Sequence, residues 1–147
     1  MSAKITSINY CPVKSVSFQS VKNCKIKKNI GIIGDRIFAF AKDLDTEQAK
    51  LFEKSPEERK GKWNKVLTLK NSPALNKYNF IFEDEKLILT AKDKEILSID
   101  INQSSEREAL SNQISELESS LKQPITLMKN DDFPFFDTSI SKKVDFV

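Results

Sequence analysis

The sequence predicts an α+β protein, mostly β and antiparallel, with a short helix at about 46–54 and a longer amphipathic helix at about 104–122. Three observations carry this. Between residues 78 and 101, three short runs alternate apolar and polar residues and are joined by tight polar turns. Residues 35–43 (DRIFAFAKD) are apolar on both faces, as in a strand covered on both sides. Beyond Gln103, Leu110, Ile114, Leu117 and Leu121 recur at helical spacing.

Taken in order, residues 4–10 (KITSINY) read as a strand, ended by Pro12, which has no N–H to donate. Residues 16–28 read as a second strand, whose apolar parity slips near Gln19–Ser20 and predicts a bulge or bend. A connection with two glycines, 29–34, leads into the two-faced strand at 35–43, where Ile37, Ala39 and Ala41 oppose Phe38 and Phe40. Asp45 with Gln48 three residues on is a capping-box pattern and starts the short helix. Residues 55–62 (SPEERKGK) read as a charged loop, and Val66–Leu69 as a short strand before Pro73. Tyr78, Phe80 and Phe82, then Leu87 and Leu89, then Leu97, Ile99 and Ile101 form the meander. Ser105 and Glu108 predict a capping box for the long helix, and Pro124 closes it. PITLM, 124–128, is a last strand. The segment 133–147 is rich in phenylalanine, isoleucine and valine, and such a tail should seek a surface.

At 147 residues, with 39% hydrophobic and 31% charged residues, the chain suits one domain with a short appendage. No apolar run is long enough for a membrane span and no secretory leader is evident, so the expectation is a cytoplasmic protein with no membrane partner. With no histidine, triad chemistry and the commonest zinc sites are excluded for this chain alone; with three glycines there is no dinucleotide or Walker loop. Cys11 and Cys24 read as buried free thiols. Lys22, Lys25, Lys27 and Lys28 form a basic stripe, but the net charge is only +3 and no nucleic-acid partner is expected.

Two stretches carry chemistry. In YCPVKS, residues 10–15, Lys14 and Ser15 follow the proline that ends a strand; an amine and a hydroxyl there suit an anion, or are a solvated lysine and a turn serine. In Gly34-Asp35-Arg36 an arginine stands at the mouth of an apolar strand and needs a partner. Strand alternation aims Asp35 to the opposite face, which leaves Arg36 to a ligand oxyanion or a distant carboxylate.

The order Tyr10-Cys11-Pro12-Val13-Lys14-Ser15, then Gly31-Ile32-Ile33-Gly34-Asp35-Arg36-Ile37-Phe38, resembles the N-terminal domain of MOSC proteins, relatives of the molybdenum-cofactor sulfurase C-terminal domain that include the amidoxime-reducing components. Ser72-Pro73-Ala74-Leu75 and the neighbourhood of Asp137-Thr138-Ser139 extend the likeness. The resemblance implies a β-barrel-like domain over 1–130 and a tail, 131–147, leading toward a MOSC domain absent from this chain. It implies that Lys14, Ser15 and Arg36, with Thr138 and Ser139, contact the phosphate and pterin end of the molybdenum cofactor (molybdopterin). In the family the metal is bound by a cysteine of the MOSC half, so no metal ligand and no catalytic residue is assigned here, and Cys11 is not promoted to one. The chain then reads as a truncated or split part of a molybdenum-dependent oxidoreductase, inactive alone, whose partners are the missing MOSC domain or its equivalent chain and an electron-transfer protein. The alternative is a non-catalytic protein-interaction β-domain.

Overall fold

A computed structural model describes residues 3–16 and 18–136. Two hairpins open the chain: β1 (Ile8–Tyr10) with β2 (Gln19–Val21), and β3 (Ile26–Lys27) with β4 (Gly31–Ile32). Then come β5 (Phe38–Lys42), α1 (Thr46–Lys54) and α2 (Pro56–Arg59). Two short 3-10 turns, Trp63–Lys65 and Pro73–Lys77, lead to β6 (Tyr78–Glu83), β7 (Lys86–Ala91) and β8 (Lys94–Asp100). Helix α3 (Ser104–Leu117) and β9 (Ile125–Lys129) follow. The class is the expected one, α+β with more strand than helix, and every ladder between named strands is antiparallel. Among the described residues these ladders do not close into a continuous ring: three are two-stranded and one is the three-stranded meander.

The predicted second strand is two separate short strands, β2 and β3; Gln19–Ser20, where a bulge or bend is expected, pairs regularly with β1, and the interruption falls at residues 22–25 instead. The strand expected at Val66–Leu69 is a single bridge from Val66 to Ala41.

Strand β5 is the partition of the molecule. Phe38 and Phe40 enter one core with Phe80, Leu87, Leu89, Ile99, Leu110 and Ile114. Ala39 and Ala41 enter a second core with Phe52, Val66, Met128 and Phe135. All four of these β5 residues are buried, so period-two alternation serves two cores at once. Ile37 was expected beside Ala39, but it packs with Phe38 and Phe40. The chain reaches it from Arg36 at φ +54, outside the strand, so alternation does not apply there.

The meander closes through two-residue turns, Asp84-Glu85 and Lys92-Asp93, with all four φ values near +50 to +60. That is the turn geometry whose twist matches flanking strands. Gln19 of β2 joins the hairpin to this sheet, since its side chain accepts from the Phe82 N–H at 3.0 Å and donates to the Phe82 carbonyl at 3.4 Å.

Helix α1 begins as the sequence predicts, with the reciprocal Asp45–Gln48 box formed. Helix α3 departs from prediction at both ends. No side chain caps it at Gln103; Glu106 instead accepts from the Asp100 N–H at 2.6 Å and so ties the helix start to β8. The helix stops at Leu117, which is exposed, and the next residue, Glu118, is buried against Lys77 at 2.6 Å. Inside the helix, the Ser111 hydroxyl donates to the Arg107 carbonyl and accepts from the Leu127 N–H, each at 3.0 Å, locking α3 to β9.

The two edges of β5 are used differently. One pairs along its length with β9. The other is shared by two unrelated segments: the Lys14 N–H donates to the Phe38 carbonyl at 2.8 Å, and the Leu67 N–H to the Phe40 carbonyl at 2.9 Å. The two segments thus leave β5 from neighbouring positions, about 7 Å apart along the strand. A cleft forms where they diverge.

Candidate functional site

The two sequence motifs meet as one clasp. The Cys11 N–H donates to Asp35 Oδ1 at 2.9 Å. The Arg36 N–H returns to the Cys11 carbonyl at 2.6 Å, and the Phe38 N–H to the Pro12 carbonyl at 3.0 Å. Pro12 gives up only a donor, so its free carbonyl still joins the ladder. Val13 then pairs with Phe38 in a parallel bridge. Tyr10 closes the outer side: a Cβ built on Gly34, which sits at φ +95, would come within 3.2 Å of its ring. A side chain there would meet both the ring and the left-handed backbone, so both favour glycine.

Three consequences follow for the predicted residues. Val16 N–H bonds back to the Val13 carbonyl at 3.2 Å, a turn that puts Ser15 at φ +60. Lys14 is only 3% exposed, and its Nζ lies 5.1 Å from the centre of the Trp63 ring. Arg36 pairs with its own neighbour, Nη1 to Asp35 Oδ2 at 2.5 Å. This corrects the expectation that the two diverge. They leave a left-handed turn, where the alternation of a strand does not hold. Asp35 therefore does two jobs: one oxygen holds the Cys11 backbone and the other orients the guanidinium. The guanidinium keeps 32% of its side-chain surface exposed, and the Phe136 ring lies 5.4 Å from it.

Lys14, Ser15 and Arg36 line one cleft of about 840 Å³. Its other wall comes from residues 63–71, including Trp63, Asn64 and Lys70. Phe18, an exposed aromatic, stands at its rim. Among the described residues that line it there are three cations and no carboxylate. Such an arrangement suits an anionic group with a planar or apolar portion attached.

Residues 2–125 match the MOSC N-terminal beta barrel domain. The chain belongs to that family. Neither the curated proteins nor the solved structures compared with it contain a match. In this MOSC N-terminal domain, Lys14, Ser15 and Arg36 line one cleft. Thr138 and Ser139, the two weaker carry-overs, lie outside the described residues.

Cys11 also lines the cleft, but its thiol donates to the Val13 carbonyl at 2.7 Å and burial pushes its pKa above the ordinary thiol value. It is a protonated, packed group at neutral pH. Cys24 is free and only partly buried, contrary to the expectation that both thiols are buried. Among the described residues, no group of three or more Cys, Asp or Glu is placed to hold a metal ion, and no helix is long and apolar enough to cross a membrane.

Sequence reading missed Arg59. It lay in a charged loop, with nothing to set it apart from Arg, Lys and Glu neighbours. The chain there forms α2, and Arg59 is buried against the Phe135 ring at 4.0 Å. Its guanidinium donates to the carbonyls of Phe52 at 2.8 Å, Glu53 at 2.8 Å and Phe133 at 2.7 Å. Burial pulls its pKa down to about 10, against the opposing pull of Glu53, so it stays charged. This clamp seats residues 133–135, and the Phe135 N–H then donates to the Arg36 carbonyl at 2.8 Å. The start of the predicted apolar tail is thus packed on the domain beside the cleft.

Proposed function

We propose that this domain forms one wall of the binding site for the phosphate and pterin end of the molybdenum cofactor, acting with a MOSC domain that supplies the metal ligand and the redox chemistry. Lys14 and Arg36 hold the anion and Ser15 adds a hydroxyl donor. Asp35 keeps the guanidinium aimed. The observation that carries this is a cleft whose lining, among the described residues, holds three cations and no carboxylate. The residues fit such a group: an amine, a hydroxyl and a guanidinium on one wall for oxygens, and Trp63 and Phe18 for a ring. The molybdenum cofactor supplies oxygen-atom and electron transfer when bound; this chain contributes affinity and orientation. The whole would be part of an oxidoreductase served by an electron-transfer partner.

The test is cofactor content. Lys14→Gln and Arg36→Gln are produced together with the MOSC domain, and bound pterin is measured after purification. Each variant should lose roughly 1.5–3 kcal/mol of cofactor affinity, the value of a charge-assisted hydrogen bond. Pterin content equal to wild type in both would end the assignment.

A further inference from the structure

We propose that Lys70 is a second anion contact, so that the ligand held by Lys14 and Arg36 carries a further negative group engaged by the opposite segment of the cleft; this rests on the anion-binding reading above. Lys70 is exposed and lines the same cleft as the first two cations. It belongs to the other of the two segments that share an edge of β5, the one anchored by the Leu67 N–H on Phe40.

The backbone that carries Lys70 is fixed. Asn71 Oδ1 accepts from the Thr68 N–H at 2.9 Å, and its Nδ2 donates to the Val66 carbonyl at 2.9 Å. The Asn71 and Ser72 N–H groups both return to the Thr68 carbonyl, at 3.1 and 2.8 Å. A lysine on so tight a turn loses side-chain freedom only, not loop freedom, when it binds. Its charge is also unspent. Lys50, Lys60, Lys62 and Lys77 each lie within 3.4 Å of a carboxylate. Among the described residues, no carboxylate pairs with Lys70. Among the described residues no acid lines the cleft to cancel the charge of Lys70, whereas Arg36 already shares its charge with Asp35. The two segments leave β5 about 7 Å apart. A single small oxyanion seated at Lys14 and Arg36 leaves Lys70 for a group further along the ligand.

The experiment titrates the 147-residue chain with inorganic phosphate and with pyrophosphate by calorimetry at low salt. Wild type should bind pyrophosphate more tightly. Lys70→Gln should lower pyrophosphate affinity roughly fivefold and leave phosphate affinity unchanged. Lys70→Arg should restore it. An exposed side chain on a turn leaves folding intact, which the thermal midpoint checks. Lys14→Gln and Arg36→Gln should weaken both anions. If those two weaken binding while Lys70→Gln changes neither anion, or both equally, the second contact is overturned and the cofactor wall stands. If phosphate fails to bind wild type, or binds Arg36→Gln unchanged, the reading beneath it falls and the second contact with it.

Discussion

The clasp between residues 10–16 and 34–38 and the β6–β7–β8 meander use the same backbone device for different ends. Both place residues other than glycine in the left-handed region: Ser15 and Arg36 in one, Asp84, Glu85, Lys92 and Asp93 in the other. Each such residue costs about 1 kcal/mol or more. In the meander the cost is offset locally, because these turns match the twist of the strands they join. Behind them Phe80, Leu87, Leu89 and Ile99 are buried. In the clasp, side chains with ligand chemistry occupy the strained positions, and long-range bonds from Cys11, Pro12 and Asp35 hold them there. One region stores stability, and the other spends it on aiming three polar side chains into a cleft.

The sharpest way to separate the two is to damage the meander core. Phe80 is buried on β6, with its ring 5.9 Å from that of Phe40 on β5. Phe80→Ala should cost about 3–5 kcal/mol in urea unfolding, from lost transfer energy and the cavity left behind. Phosphate affinity of the fraction still folded should not change, because Phe80 does not line the cleft. A parallel fall in affinity would mean that the meander sets the cleft's geometry and that the division is false.

A smaller change tests the clasp itself. Gly34→Ala puts a methyl group 3.2 Å from the Tyr10 ring at φ +95, whereas Gly61→Ala, at φ +70, meets nothing within 4 Å. Both should lose about 1–2 kcal/mol to backbone strain. Gly34→Ala should lose more, and it should also weaken phosphate binding, because displacing Tyr10 drags Cys11 away from Arg36. Equal losses in stability with unchanged binding would show that Tyr10 yields freely and that the clasp does not depend on it.

How far the sequence reveals each region follows from the range of the interactions. The meander is written in nearest neighbours: alternation and polar turns place all three strands within a residue or two of where they lie. The Asp45–Gln48 box is equally local and forms as expected. The end of α3 was not legible, because Glu118 is held by Lys77, some forty residues away. For the clasp, the residues could be picked out, but not their pairing. Asp35 with Arg36 looked improbable under strand alternation, and only the left-handed turn at Arg36 permits it. Arg59 and Lys70 were invisible for a related reason. Burial of the first and the cleft position of the second depend on segments far off in the chain, and neither leaves a local pattern.

The mildest test asks how often the clasp opens. The Cys11 thiol is buried, bonded to the Val13 carbonyl, and raised in pKa chiefly by burial. Thiolate is the form that alkylates, so a raised pKa slows the reaction at any pH below it. Cys24 is partly accessible and has no such enclosure. Iodoacetamide at pH 8 should label Cys24 first, with Cys11 at least about tenfold slower. Raising the pH should keep speeding Cys11 past the ordinary thiol range, since its thiolate fraction is still growing there. Urea should abolish the difference. Mass mapping of the labelled peptides over time decides it. Equal rates in the native protein would mean that the bonds from Cys11 to Asp35 and Arg36 break on the labelling timescale, and a site that opens so readily could not hold Lys14 and Arg36 ready for an anion.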